Sequence, residues 1–300
     1  MSAIRIGTRA SPLALWQADH VAGLLRAAGH RVDIKRITTT GDRILDRRLD
    51  TVGGKAAFLK EIEEALAARE VDLAVHSLKD VPTSLPDGLA LCAFLPREDP
   101  RDAVLSLDGR TLAGLKPGAR VGTTSLRRGA LIKELRKDLL IEDLRGNVDS
   151  RIRRLRDGKF DAILLAMAGL IRLGRAAEVA EALNPVQFIP APGQGVVALE
   201  CRAGDTAILE ATASLHDAYT ARRVDAERAL LAALGGGCNV PMGAYADVDA
   251  SGRTLRLWGF LARPDGSRMV RAHVEGEDPQ EIGRELAERL LEWGGAPLLQ

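Results

Sequence analysis

The chain carries one strand-loop-helix pattern twice, and this internal repeat limits its fold more than any other feature. IRIGTRASPLAL near the N-terminus and ARVGTTSLRRGAL near the middle both place Gly-Thr at a strand end and Ser beside a helix start. Ser11 followed by Pro12 is typical of a helix N-cap with proline in the first turn. The pattern predicts strands at 5–7 and 120–122 and helices at 12–28 and 126–135.

A second pair of segments supports the repeat. Residues 71–75 (VDLAV) and 160–165 (FDAILL) are continuous apolar runs, which are typical of strands buried on both faces. Strands that alternate with helices form parallel sheets, and their ligands bind beyond the carboxyl ends of the strands. The sequence therefore predicts two related α/β halves whose loops converge at such an edge.

Proline-rich segments at 95–100 and 189–192 bracket the second half as linkers would. The apolar segment 196–200 (VVALE) would then return a strand to the first domain, a double crossing that also occurs in periplasmic binding proteins. After about residue 217 the pattern changes to that of a small α+β domain with a closing helix. The expected domains are 1–95 with 196–215, then 96–195, then 216–300.

The sequence argues against several classes of function. GGK at 53–55 is not a phosphate-binding P-loop, because Ala56 stands where Ser or Thr would hold magnesium. The five histidines show no HExxH spacing and no GxSxG is present, so we predict no metal site. With 42 basic and 41 acidic residues, the chain has no general attraction to nucleic acid or to an anionic membrane. The sequence shows no apolar run of membrane length and no signal-peptide pattern, and its three cysteines do not form an even set for disulfides. We therefore expect a cytoplasmic protein.

Two single residues are candidates for chemistry. Cys238 follows three glycines in LGGGCNVPMG, which leave room for an adduct on its thiol, although an incidental cysteine after a helix-capping glycine run is the alternative. Asp80 follows a buried strand and precedes Val81-Pro82, where its carboxylate could stabilise a cation. A helix-capping Asp80, or a surface pair with Lys79, is the alternative reading of that position.

Arginines form a third candidate group, because they recur at predicted strand ends and helix starts. Guanidinium groups bind carboxylate or phosphate in a bidentate manner, and hydroxyls and helix N-termini add donors for the same anions. Genomic base composition also explains any one arginine taken alone. The candidate anion-binding residues are Arg9, Ser11, Lys55, Thr123, Thr124, Ser125, Arg127, Arg128, Arg145, Arg151 and Arg172.

Along nearly its whole length the chain resembles the porphobilinogen deaminases, also called hydroxymethylbilane synthases. The matching strings run in order and include IGTRASPLALWQA, GGKAAFLKEIEEAL, VDLAVHSLKDVP, REDPRDAVLS, VGTTSLRRGALI, LRGNVDSRIRRLRDGKFDAILLAMAGLIRLG, PAPGQGVVALECR and AERALLAALGGGCNVPMGAYA. The part beyond residue 246 is the least distinctive. The resemblance implies two periplasmic-binding-protein-like α/β domains with a hinge, plus a small C-terminal α+β domain.

The resemblance also implies an activity. A dipyrromethane cofactor bound through a thioether to Cys238 would prime the addition of four porphobilinogen molecules with release of ammonia, and hydrolysis would give hydroxymethylbilane. Asp80 matches the catalytic carboxylate. Lys55 matches a mobile-loop residue, and a monomeric transferase of haem biosynthesis is expected. The carboxylate-binding positions that the family supplies are Arg9, Ser11, Lys79, Ser125, Arg127, Arg128, Arg145, Arg151 and Arg172.

The main alternative is a non-catalytic solute-binding module of the same two-lobed architecture. Such a module would need the arginines but neither Asp80 nor a modified cysteine. A phosphate-handling enzyme is a weaker alternative, because its motifs are missing.

Overall fold

The structure is a computed structural model that describes residues 3–43, 58–235 and 240–299. Its described residues divide into two compact units, one from 1–98 with 196–221 and the other from 99–195 with 222–300. Within those three ranges no helix has both the length and the apolar character needed to cross a membrane.

Strands and helices alternate through most of the chain. The first stretch forms β1 (Ile4–Thr8), α1 (Pro12–Ala27), β2 (Val32–Arg36), α2 (Thr40–Arg43), α3 (Lys60–Ala67), β3 (Leu73–Ser77) and β4 (Leu89–Phe94). The middle forms β5 (Asp102–Ser106), β6 (Arg120–Gly122), α4 (Leu126–Leu135), β7 (Leu140–Glu142), α5 (Val148–Arg156), β8 (Ala162–Ala166), α6 (Met167–Arg172) and β9 (Glu181–Ala182). The last part forms β10 (Val197–Arg202), α7 (Thr206–Ala213), α8 (Ala218–Ala233), β11 (Met242–Val248), β12 (Leu255–Ala262), β13 (Met269–Gly276) and α9 (Pro279–Leu290).

The first unit contains a five-stranded sheet in the order β2-β1-β3-β10-β4. Strands β1, β2 and β3 are parallel, whereas β10 runs antiparallel to both β3 and β4. Ile6, Leu25, Leu73 and Leu199 are fully buried in one cluster on the α1 side of the sheet. A smaller cluster around Ile62 packs α3 against the other face, so the central strands are covered on both sides.

The second unit repeats this topology in the order β7-β6-β8-β5-β9. Its β6, β7 and β8 are parallel, and β5 runs antiparallel to its neighbours β8 and β9. Strand β5 therefore occupies the place that β10 has in the first sheet. Strand β3 lies between β1 and β10, and β8 lies between β6 and β5, so the two apolar runs occupy equivalent central places. The two α/β halves therefore share one topology, as the repeat predicts.

The prediction of parallel sheets is wrong for one strand position in each half. Both β5 and β10 follow a proline-rich linker, and neither is joined to a neighbouring strand by a helical crossover. Two strands joined by a crossover helix run parallel to each other. A strand that reaches the sheet through a linker can run in the opposite direction. The sheets are mixed for this reason.

The C-terminal segment forms the antiparallel sheet β11-β12-β13, with α9 against it. Tyr245 and Phe260 of this sheet share a buried cluster with Val121 and Phe188, so the sheet and the middle of the chain belong to one unit. Gly243 faces that junction, where a Cβ atom would lie 2.8 Å from the carbonyl oxygen of Ile189.

Cys92 and Cys201 lie on the adjacent strands β4 and β10 as free thiols, Cys201 buried and Cys92 half-buried. The hydrogen bond to Cys201, together with burial, raises the pKa of the Cys92 thiol far above its usual range. A protonated thiol is a poor nucleophile, which indicates a structural role for Cys92. The same hydrogen bond lowers the pKa of the Cys201 thiol, which is fully buried in the core of the sheet.

Candidate active site

Asp80 ends a short 3₁₀ helix, Leu78–Asp80, that follows β3 directly. The buried side chain of Leu78 anchors this turn, and the backbone amide of Leu78 donates to the carbonyl of Val196, the residue just before β10. Asp80 is half-buried and lines a pocket of about 90 Å³. The carboxylate thus lies at the carboxyl end of a buried strand, and Lys79 beside it is also half-buried.

Arg9 and Ser11 line the same pocket from the loop between β1 and α1. Ser11 caps α1, because its hydroxyl accepts a hydrogen bond from the amide of Ala14 at 3.3 Å. The guanidinium of Arg9 lies over the ring of Phe58, 4.1 Å from its centroid. The first unit therefore brings three of the predicted residues, Arg9, Ser11 and Asp80, into one pocket.

The same pocket has polar members that sequence reasoning left without a role. The side-chain amide of Gln17 donates to the hydroxyl of Ser77 at 2.9 Å. His76 also lines the pocket, and its Nε2 lies 2.9 Å from a carboxylate oxygen of the fully buried Glu200. The position of His76 in HSLKDVP was visible in the sequence, but its partner is 124 residues away.

In the second unit, Ser125 caps α4 as Ser11 caps α1, accepting from the amide of Arg128 at 3.4 Å. Thr123 is buried and Thr124 half-buried in the preceding turn. The repeated Gly-Thr and Ser signals therefore produce the same local structure twice, with a capped helix beginning just beyond a strand of the sheet.

Arg127 and Arg128 are both buried, and both bind Asp102 of β5. One Asp102 oxygen lies 2.7 Å from Arg127 Nη1, and the other lies 2.6 Å from Arg128 Nη2. Burial opposes ionisation of Asp102, but the two guanidiniums outweigh it and hold the pKa of that carboxyl far below its usual range. Sequence reasoning missed Asp102, although it stands in the matched string REDPRDAVLS.

Arg127 and Arg128 also donate hydrogen bonds to backbone carbonyls. Arg127 donates to the carbonyl of Ile189 at 2.8 Å, and Arg128 donates to that of Leu164 at 3.0 Å. Gln194 adds a hydrogen bond to Asp102 at 3.2 Å. Two cations on one anion leave this buried cluster with an excess positive charge at the start of α4.

The remaining predicted arginines lie at the other loops of the second unit. Arg151 is in the first turn of α5, where its Nε donates to the carbonyl of Gly146 at 2.7 Å. Arg172 is the last residue of α6 and donates to the carbonyl of Gly195 at 2.7 Å. Arg145 is half-buried in the turn before α5, which Asn147 caps. Two further predicted residues, Lys55 and Cys238, fall outside the described residues.

Comparisons with known proteins give one consistent result. Residues 4–210 match the family model "Porphobilinogen deaminase, dipyromethane cofactor binding domain", and residues 221–292 match "Porphobilinogen deaminase, C-terminal domain". The porphobilinogen deaminase of Roseiflexus castenholzii is 50% identical over 302 residues, covering 99% of both chains. That of Trichlorobacter lovleyi is 51% identical over 301 residues, covering 99% of this chain and 96% of the relative.

Solved structures with similar folds include a nutrient-binding protein from Burkholderia cenocepacia bound to methionine. It is 14% identical, with a TM-score of 0.46, and the alignment covers 70% of this chain and 90% of that one.

Proposed function

The chain belongs to the porphobilinogen deaminase family, and from that premise we propose that Asp80 is its catalytic carboxylate and that Cys238 carries its dipyrromethane cofactor. The family activity is a transferase reaction of tetrapyrrole biosynthesis. It joins four porphobilinogen molecules head to tail with release of ammonia, and hydrolysis gives hydroxymethylbilane.

The chemistry of the described pocket fits this cofactor and substrate. Both carry carboxylate side chains, which suit the guanidinium of Arg9 and the hydroxyl of Ser11 at the capped start of α1. Both also carry pyrrole N–H donors, which suit the carboxylate of Asp80. When bound, the dipyrromethane supplies the free pyrrole carbon to which the next unit is added.

The role of Asp80 follows from charge. Loss of ammonia from porphobilinogen leaves positive charge on the pyrrole, and an ionised carboxylate held against the ring N–H stabilises that charge. The 3₁₀ turn anchored by Leu78 holds the carboxylate in place before the substrate arrives. The observation that carries the proposal is that Asp80 and Arg9 line one pocket at the carboxyl end of a buried strand.

We propose further that the remaining cationic and hydroxyl positions hold the carboxylates of the growing chain. The excess charge of the Arg127–Arg128–Asp102 cluster supports this for the second unit. Each charge-assisted hydrogen bond contributes about 1.5 to 3 kcal/mol. The proposed ligands are Arg9, Ser11, Lys79, Ser125, Arg127, Arg128, Arg145, Arg151 and Arg172, and Lys55 is proposed as a residue of a mobile loop.

The oligomeric state, the cellular location and the domain boundaries complete the proposal. We propose a cytoplasmic location, supported by the free thiols of Cys92 and Cys201. We propose a monomer, as the family resemblance implies. We also propose a three-domain division, with boundaries at 1–95 plus 196–215, 96–195 and 216–300. Light scattering of the purified protein tests the oligomeric state, and limited proteolysis tests the boundaries.

The direct test of Asp80 is the rate of ammonia release from porphobilinogen by Asp80→Asn. The rate per cofactor-bearing molecule should fall roughly 100- to 1,000-fold, because removing one group that stabilises transition-state charge costs about 10²- to 10³-fold. Asp87→Asn, an exposed aspartate in the same unit, is the matched control and should keep the wild-type rate. A wild-type protein that binds porphobilinogen without releasing ammonia would instead support the solute-binding alternative.

A further inference from the structure

The turn at residues 191–195 of the second unit is tied to distant parts of the chain, and the proposed function gives it no role. Its backbone closes through a hydrogen bond from the amide of Gln194 to the carbonyl of Ala191 at 2.9 Å. Gly193 and Gly195 have φ angles of 71° and 94°, a left-handed conformation that favours glycine. The two glycines therefore give the turn a backbone course that other residues adopt only with strain.

Two buried side chains hold the turn from outside. Glu227 of α8 is fully buried, and its two side-chain oxygens accept from the amide of Gly193 at 2.7 Å and from the amide of Ala246 at 2.8 Å. Gln194 is 1% exposed, and its side-chain amide donates to the carbonyl of Pro100 at 2.8 Å. The turn is thus linked through Glu227 to α8 and β11, and through Gln194 to the segment before β5.

The last residue of the turn contacts one of the proposed carboxylate ligands. The carbonyl of Gly195 accepts from Nη2 of Arg172 at 2.7 Å. An arginine side chain has many rotamers, and it loses that freedom when it binds an anion. A guanidinium whose direction is fixed beforehand loses less freedom and binds the anion more tightly. A carbonyl held in place at Gly195 therefore improves Arg172 as a ligand for carboxylates.

We propose that Glu227 and Gln194 are positioning residues for Arg172. They hold the turn so that the carbonyl of its last residue sets the direction of the guanidinium. The proposal rests on the role of Arg172 as a carboxylate ligand proposed above. The alternative is that both side chains serve the fold alone, since Glu227 supplies acceptors to the amides of two buried residues. In that case the stability of the protein depends on them, but the binding of substrate does not.

Two substitutions release the turn to different extents. Glu227→Met keeps the length of the side chain and removes both acceptors, whereas Gln194→Met removes only the donor of its own side chain. If Glu227→Met does not fold, Gln194→Met carries the test. Gly276→Ala is the control for lost stability, because its added Cβ would lie 2.5 Å from the buried side chain of Ile282 in the C-terminal core.

Hydrogen exchange read by mass spectrometry shows whether the turn is released. Peptides that contain residues 191–195 should exchange their amides faster, by roughly tenfold, in Glu227→Met and Gln194→Met than in the wild type. Gly276→Ala should leave the exchange of these peptides unchanged. Wild-type exchange in both Met variants would show that the two side chains do not hold the turn, and would overturn the proposal.

The deciding measurement is KM for porphobilinogen per molecule carrying the covalent adduct. Arg172→Gln should raise KM roughly 10- to 100-fold, the loss of one charge-assisted hydrogen bond. A positioning residue can lose no more through Arg172 than Arg172 contributes, so Gln194→Met should raise KM by roughly three- to tenfold. In the Arg172→Gln background the same substitution should change KM by less than about twofold. The kcat of Gln194→Met should stay within about twofold of the wild type, and Gly276→Ala should lower the melting temperature without changing KM.

An equal effect of Gln194→Met on KM in both backgrounds would show that Gln194 acts through Asp102 or through the fold, and would overturn the proposal. A wild-type KM in Gln194→Met or in Arg172→Gln would overturn it as well. So would a KM in Gly276→Ala that rises with the loss of stability. Ammonia release by the wild type and by Asp80→Asn is measured in parallel, so the proposed function is judged independently of these results.

Discussion

Asp102→Asn tests how the buried charges at the start of α4 are held. The substitution keeps the size of the side chain but leaves Arg127 and Arg128 without their shared anion. Asp102 is fully buried and accepts three hydrogen bonds of 2.6 to 2.8 Å from the two guanidiniums. Breaking a buried ion pair by removing one partner costs about 3 to 5 kcal/mol, since the other charge stays uncompensated.

For a unit of this size, 1 kcal/mol lowers the melting temperature by about 2 to 4 °C, so Asp102→Asn should melt roughly 6 to 20 °C below the wild type. Differential scanning calorimetry at pH 7 measures this shift. Asp138→Asn is the matched control, because Asp138 lies 2.6 Å from Arg136 but on the surface. Its melting temperature should stay close to that of the wild type, because exposed pairs contribute little.

The effect of pH follows from the direction of the pKa shift. The pKa of Asp102 is lower in the folded than in the unfolded chain, so its stabilising contribution is complete above the ordinary carboxyl range. That contribution fades as the pH falls below about 4. The difference in unfolding free energy between wild type and Asp102→Asn should be constant from about pH 5 to 7 and shrink at lower pH. A melting shift no larger than that of Asp138→Asn would refute the reasoning.

Three further predictions concern other parts of the chain. Gly243→Ala places a methyl group 2.8 Å from the carbonyl oxygen of Ile189 and should lower the unfolding free energy by about 1 to 3 kcal/mol, measured by urea denaturation; a neutral result would contradict the close approach. Asn147→Ala removes the cap on α5, where Asn147 accepts from Ser150 at 2.9 Å, and should cost about 0.5 to 2 kcal/mol in the same assay. Arg9→Ala should weaken porphobilinogen binding by roughly tenfold with little change in melting temperature, and a KM like that of the wild type would exclude Arg9 as a carboxylate ligand.

Much of the fold could be predicted because its strands are short apolar runs between clear turn signals. The helix predicted at 126–135 has those bounds in the structure, since Ser125 marks its start. Strand β2 was not predicted, because as an edge strand it buries only Val32 and lacks an apolar run. Strand β13 was not predicted either, although its alternating exposure carries a two-residue period.

The candidate site was predictable only as far as local signals reach. The sequence indicated that Arg127 and Arg128 stand at a helix start, but not that Asp102 neutralises part of their charge. That contact depends on β5 entering the sheet beside β8, which no local pattern specifies. His76 stands in the matched string VDLAVHSLKDVP, but only the pairing of β3 with β10 reveals Glu200 as its partner.

Intact-protein mass spectrometry of the cofactor-loaded enzyme, before and after mixing with porphobilinogen, tests the central claim most directly. Wild type should carry an adduct with the mass of a dipyrromethane and gain successive pyrrole units on mixing. Asp80→Asn should keep the adduct without extending it, and Cys238→Ala should carry none. A wild-type protein with the bare sequence mass, or a Cys238→Ala protein that still carries the adduct, would contradict the account.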